Sequence, residues 1–160
     1  MKLIKILTTF AILATTAALS YGSTRCSGAS VAGDWGFTIN GAIILPAPVG
    51  GVPVAAVGKF KQDAWGNLQG TEDRSLGGAF DHETLKGSVA VHPDCTAKYT
   101  IAVFDSAGNL NRTSVIDAVF VNDGNRVRAI FESITLAGGT KLPSAITVEG
   151  NKLSPSDEEH

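Results

Sequence analysis

Beyond residue 30 the chain alternates apolar and polar side chains with a period of two. Trp35, Phe37 and Ile39 share one parity, while Asp34, Thr38 and Asn40 share the other. That alternation marks a half-buried β-strand, and it predicts a first strand over residues 31–42 with Trp35 facing inward. The same reading places a second strand around Phe60, with Lys59 and Lys61 on its opposite face. Further strands are expected at 68–76, 80–91, 96–105, 110–121, 126–136 and 145–149. Residues 43–53 break the pattern, because Pro46, Pro48, Pro53 and Gly50-Gly51 sit among Ile, Leu and Val. Proline removes ladder donors, so this stretch reads as a long apolar loop. It would lie over a barrel mouth as a lid, or plug the barrel end.

Turn chemistry separates the strands. Asp63-Ala-Trp-Gly-Asn67 and Asp105-Ser-Ala-Gly-Asn109 are near copies. Each suits a three-residue hairpin loop in which glycine supplies φ > 0. Asn122-Asp-Gly-Asn125 suits a two-residue type I′ turn, and Gly77-Gly78, His92-Pro-Asp94 and Gly138-Gly139 punctuate the remainder. No interval is long enough for a domain-sized helix. The expected fold class is all-β: an eight-stranded antiparallel up-and-down (calycin-like) barrel, whose closure removes both sheet edges. The alternative is a two-sheet sandwich with Greek-key crossings, against which the short, even connections count. An eight-stranded barrel has room for side chains or for one small ligand.

The Asp-Gly turn predicts a register. Phe120 faces Val127, Ala118 faces Ala129 and Ile116 faces Phe131, which makes an apolar core face. Asp117, Arg128 and Glu132 then lie outside, with Asp117 and Arg128 as diagonal neighbours. In the preceding hairpin, pairing Asp105 with Asn109 places Phe104 opposite Leu110 and Ala102 opposite Arg112 on the inner face. Tyr99, Ile101 and Val103 would join Val115 and Val119 outside. Such an apolar outer patch implies a partner, so a homo-oligomer through strands 96–121 is expected. A bulge in either strand would flip the parity and cancel that expectation.

The N-terminus changes the compartment. Lys2 and Lys5 precede an apolar run from Ile6 to Leu19, and Ala18-Leu-Ser20 offers small residues for cleavage. Residues 1–20 read as a secretory signal, 21–153 as one β-barrel domain and 154–160 as a charged tail. No membrane span is expected once the signal is removed. The 160 residues carry a formal net charge of −2 and no basic block, which argues against a nucleic-acid partner. The two cysteines, Cys26 and Cys95, suit export and suggest one disulfide.

Candidate chemistry is sparse. Asp81-His82-Glu83 resembles a metal or acid–base cluster, but in a strand His82 points away from its neighbours, so no metal site is expected there. Neither a phosphate loop nor a serine elbow occurs, and neither a cofactor nor a catalytic set is expected. Mid-strand charges include Asp73, Arg74 and Lys86 besides Asp117, Arg128 and Glu132. If some of these six point inward they form a buried acid–base site, Asp117, Arg128 and Glu132 being the named set, whereas the register favours a solvated face for those three. Aromatic residues Trp35, Phe37, Phe60, Phe120 and Phe131 are the candidate lining of a ligand site. Trp65 sits at a turn tip, either exposed for contact or folded back.

Gly33-Asp-Trp35 resembles the Gly-x-Trp of lipocalins and their calycin relatives. That resemblance implies a Trp packed against a basic residue from a late strand, here Arg126 or Arg128. The second lipocalin motif, Thr-Asp-Tyr, is missing. A wider resemblance rests on Val31-Ala-Gly-Asp-Trp-Gly-Phe37, the Asp-x-x-Gly-Asn turns and Pro93-Asp-Cys-Thr96. These are similar to a group of largely uncharacterised small exported bacterial proteins, which implies a shared fold and export. Barrels of the allene oxide cyclase type are a further architectural likeness. The expected product is secreted, periplasmic or on the extracellular envelope. It would bind a small apolar ligand or act as an interaction module; a cyclase or isomerase, or a purely structural subunit with a filled barrel, are the alternatives.

Overall fold

A computed structural model describes residues 26–154; the signal segment expected at 1–20 and the tail past Ser154 lie outside the described residues. A one-turn helix, α1 (Gly28–Val31), is followed by β1 (Gly33–Ile44), β2 (Gly51–Gln62), β3 (Asn67–Leu76) and β4 (Ala79–Val91). Then come β5 (Thr96–Phe104), β6 (Leu110–Val121), β7 (Arg126–Leu136), β8 (Lys141–Leu142) and β9 (Ser144–Lys152). From β1 to β8 each strand pairs antiparallel with the next, β7 also pairs with β9, and β9 pairs back onto β1. The sheet thus closes into an eight-stave barrel. Its last stave is β8 and β9 together, interrupted at Pro143, and the expected fold class holds.

One hairpin loop recurs. Asp63 N–H donates to Asn67 O and Asp105 N–H to Asn109 O, with Gly66 and Gly108 at positive φ. The aspartate side chains also accept from the loop backbone: Asn67 N–H and Asn109 N–H each lie 2.8 Å from an Oδ1. Two further loops share this backbone, His92–Thr96 and Leu136–Thr140. In the first of these Cys95 holds the left-handed position, at φ 68°.

Strand boundaries differ from expectation in two places. Val31 ends α1, where Ser27 and Ser30 cap each other, and the first strand starts at Gly33. Both ends of the expected loop at 43–53 are strand, leaving residues 45–50 as the connection. Pro53 is tolerated because a strand residue's N–H and C=O point to the same side. Pro53 O accepts from Gly77 N–H, so its missing donor faces the 76–79 turn and not the ladder with β1. With Val49 largely exposed, the short 45–50 loop forms rim, not lid.

The register of β6 with β7 is as expected: Phe120, Ala118 and Ile116 stand opposite Val127, Ala129 and Phe131. The β5–β6 register is not. Phe104 does face Leu110, but Asn111 is extruded as a bulge, so Arg112 faces Val103 and Ile116 faces Tyr99. Tyr99 and Val103 are consequently buried, and Ile101 turns inward. The apolar outer patch that motivated a homo-oligomer through strands 96–121 therefore does not form. Thr96, Lys98 and Thr100 occupy the outer face of β5 instead.

The core is densest at the end bearing α1. Trp35 is fully buried, stacks on Phe60 with ring centres 6.2 Å apart, and meets Phe120 at 5.6 Å. Its indole N–H donates to Val31 O at 3.0 Å, which ties α1 across that end. The Cys26–Cys95 disulfide fastens the same end, as expected. The basic residue opposite Trp35 is Lys152, neither Arg126 nor Arg128, and its Nζ holds Ser30 O. Outside, Lys59, Lys61, Lys86, Lys98, Arg128 and Glu149 give a polar wall, unlike the apolar belt of a lipid-facing barrel. No described helix is long and apolar enough to cross a membrane.

Candidate functional site

The barrel interior holds two hollows. A deep one of about 60 Å³ is lined by aromatic and aliphatic side chains, among them Phe37, Phe60, Leu85, Tyr99 and Phe131. An outer one of about 80 Å³, towards the end opposite α1, is lined by Ile43, Val54, Leu76, Ile134 and Leu142. Arg112, Phe131 and Ile39 border both. Glycines make room for the rings: Phe37 lies over Gly58, where an added Cβ would come within 2.6 Å of the ring edge.

A layer of charge separates the hollows. The Gly77-Gly78 turn sets Arg74 opposite Asp81 and Glu72 opposite Glu83, and alternation turns all four inward. Arg112 joins them from β6, where it shares the inward parity of Ser114, Ile116 and Ala118. Glu83 is the hub. Arg74 Nε donates to it at 2.8 Å, Arg112 Nη1 reaches both its oxygens at 2.7 and 2.9 Å, and Asn111 Nδ2 donates at 2.8 Å. Arg74 Nη2 also binds Asp81 at the rim, 2.8 Å away, and Arg112 Nη2 binds Glu72 at 2.5 Å.

Two carboxylates that face each other in one buried layer do not ionise alike. Glu83 is 1% exposed and Glu72 3%. Burial opposes the charge on Glu83, but hydrogen bonds from Arg74 and Arg112 outweigh it and hold Glu83 at about 2. Burial dominates at Glu72; with the repulsion of Glu83 it overcomes the single contact from Arg112 and raises Glu72 to about 7. The Tyr99 hydroxyl is likewise pushed up by burial. Ser114 lines the deep hollow at 2% exposure, and its Oγ has no hydrogen-bond partner. The same apolar chamber is thus lined by a residue whose carboxyl can give or take a proton near neutrality and by one whose hydroxyl is idle.

The sequence-predicted residues fare unevenly. Phe37, Phe60 and Phe131 line the deep hollow, whereas Trp35 and Phe120 pack beneath it as core. Asp117, Arg128 and Glu132 do not converge inside. Asp117 and Glu132 share Lys98 on the outer wall, about half exposed, and Arg128 is exposed. The interior acid–base set is instead Glu72, Arg74, Glu83 and Arg112. Counting back from the Gly77-Gly78 turn puts the first three on one face, and Arg112 shares the inward parity of Ile116 and Ala118. His82 points outward to Asp73, 2.7 Å away, opposite to Asp81 and Glu83, as strand alternation requires. Trp65 is exposed at its turn tip.

No protein-family model matches this chain, and a search of curated proteins finds no match to it.

Proposed function

We propose that the barrel interior binds a small, mostly apolar molecule that carries one polar group and comes in through the end opposite α1. The observation that supports this is the unpartnered Oγ of Ser114, a residue that lines the same apolar chamber as Glu72. A buried hydroxyl without a partner costs stability unless something else satisfies it. The size of the chamber limits the ligand. At 10–15 Å³ per water-sized group, 60 Å³ takes roughly four or five heavy atoms, far fewer than a lipid chain. The disulfide suits an oxidising compartment. Together with the signal-like N-terminus and the resemblance to small exported bacterial proteins, it supports a secreted or envelope location.

A second reading has its own observation. Glu72, raised to about 7, is placed to shuttle a proton on whatever occupies the chamber, as a cyclase or isomerase would. Native mass spectrometry of protein purified from its own host tests the binding reading. The expected result is a retained small organic mass at one per chain, lost on unfolding. A bare chain mass, with no ligand of this size raising the melting temperature, would favour a filled structural barrel instead.

A further inference from the structure

The outer wall of the barrel carries a groove of its own, apart from the interior. Its volume is about 370 Å³, and Asp34, Lys59, Lys61, Gln69, Lys86 and Leu153 are among the residues that line it. The strand registers set four of these in one row across the sheet. Asp34 stands opposite Lys61, Lys61 opposite Gln69, and Gln69 opposite Lys86. All four are exposed, on the outward parity of their strands, and Lys59 shares the face of Lys61. The lysines outnumber the one carboxylate, Asp34. None of the three makes an ion pair among the described residues. Lys86 Nζ lies 5.7 Å from the centre of the Phe104 ring. A strip of unpaired ammoniums attracts negative charge.

The chain itself brings negative charge to this groove. β9 ends at Lys152, and Leu153 N–H donates to Asp34 O at 2.8 Å, which sets Leu153 at the head of the row. Its side chain rests over Gly36 on the outer face, where an added Cβ would meet Leu153 Cδ2 at 3.2 Å. Beyond Ser154 the sequence is Pro155-Ser156-Asp157-Glu158-Glu159-His160, acidic and without Lys or Arg. The reach fits. Strands lie about 4.8 Å apart, so about four intervals separate Leu153 from Lys86, roughly 19 Å. At about 3.3 Å per residue, an extended chain carries Asp157 roughly 13 Å and Glu159 roughly 20 Å from Leu153. Pro155 also biases Ser154 towards extended backbone.

We propose that the occupant of the groove is residues 155–160 of the same chain, with Asp157, Glu158 and Glu159 paired to Lys59, Lys61 and Lys86. Each exposed pair is weak by itself and is screened by salt. Attachment through Leu153 makes the contact intramolecular, at an effective concentration on the order of millimolar, so the weak pairs act together. The docked segment covers the lysine strip, and any free acidic partner has to displace it. This surface is independent of the interior chamber.

The test compares the full chain with the full-length variant Asp157→Asn/Glu158→Gln/Glu159→Gln, whose changes lie outside the barrel strands. The backbone amide resonances of Lys59, Lys61, Gln69 and Lys86 are followed by NMR. They are expected to differ between the two proteins at about 0.01 M NaCl. The difference should vanish at about 1 M, as the Debye length shortens from about 30 Å to about 3 Å. The low-salt positions of the unaltered chain should not move on roughly tenfold dilution, as an intramolecular contact requires. Positions that revert on dilution would overturn the proposal and give the groove to the same segment of a second copy. Identical resonances at low salt would overturn it outright. If tetra-aspartate peptide then moved those resonances, the strip would belong to a separate acidic partner. The salt and dilution series need no variant.

Discussion

Arg112 Nη1 lies 2.7 and 2.9 Å from the two carboxylate oxygens of Glu83, reaching from β6 past β5 to β4. The contact crosses the barrel interior, so it braces two staves that share no ladder. It is also buried, which makes its two halves interdependent. Arg112→Met leaves Glu83 with Arg74 and Asn111 alone and Glu72 with no cation in contact. The expected loss is about 3–5 kcal/mol in urea unfolding, the usual cost of breaking a buried pair from one side. The double variant Arg112→Met/Glu83→Leu should lose clearly less than the sum of the two single changes.

The two interior glutamates predict an unusual pH profile. Glu72 is raised to about 7 from the ordinary 4.5. Between those values the folded chain keeps a proton that the unfolded chain has given up, so stability falls as pH rises from about 4.5 to about 7. Glu83 is held at about 2, which reverses the sign: its contribution is present above pH 4.5 and is lost as pH falls towards 2. Each contribution is on the order of 3 kcal/mol, since a pKa unit corresponds to about 1.4 kcal/mol. The melting temperature should therefore peak near pH 4 to 5 and decline on both sides. Glu72→Gln should flatten the decline above the peak and leave the acid limb in place.

Much of the barrel was legible because local rules and tertiary structure agree. The Asp-x-x-Gly-Asn loops formed where the residues placed them, and Asn122–Asn125 fixed the Phe120–Val127 register. What failed was the parity of β5, which one extruded residue, Asn111, inverts against β6. Nothing in the residue types at 110–112 announces that bulge. Its effect is to bring Tyr99, Ile101 and Val103 inside, while Arg112 keeps the inward parity that the Asn122–Asn125 turn sets for Ile116, Ala118 and Phe120. The other half of the site was within reach. A two-residue Gly77-Gly78 turn aligns Glu72 with Glu83 by simple counting. Those glutamates were passed over because alternation was applied only to dismiss a cluster around His82.

The disulfide and the loop that carries it make a separable prediction. Linking Cys26 to Cys95 closes 69 residues, worth about 4 kcal/mol by chain entropy. Cys95 also sits at φ 68°, in the loop position that Gly66 and Gly108 fill elsewhere. A non-glycine residue there carries roughly 1 kcal/mol of backbone cost. In chemical unfolding, Cys26→Ala/Cys95→Gly should therefore be more stable than Cys26→Ala/Cys95→Ala by about that amount, with both below the oxidised protein. Equal stabilities would mean that the 92–96 loop relaxes once the bridge is gone.

The account turns on one buried carboxyl group, Glu72, whose contact with Arg112 does not offset its burial, and a ¹³C NMR titration of its side chain reads that group directly. A midpoint near 7 is expected, with Glu83 ionised throughout and its resonance moving only in strong acid. A Glu72 midpoint at the ordinary 4.5 would mean that the charge is already neutralised or solvated. The pH profile and the proton-shuttling reading of Glu72 would then fall together.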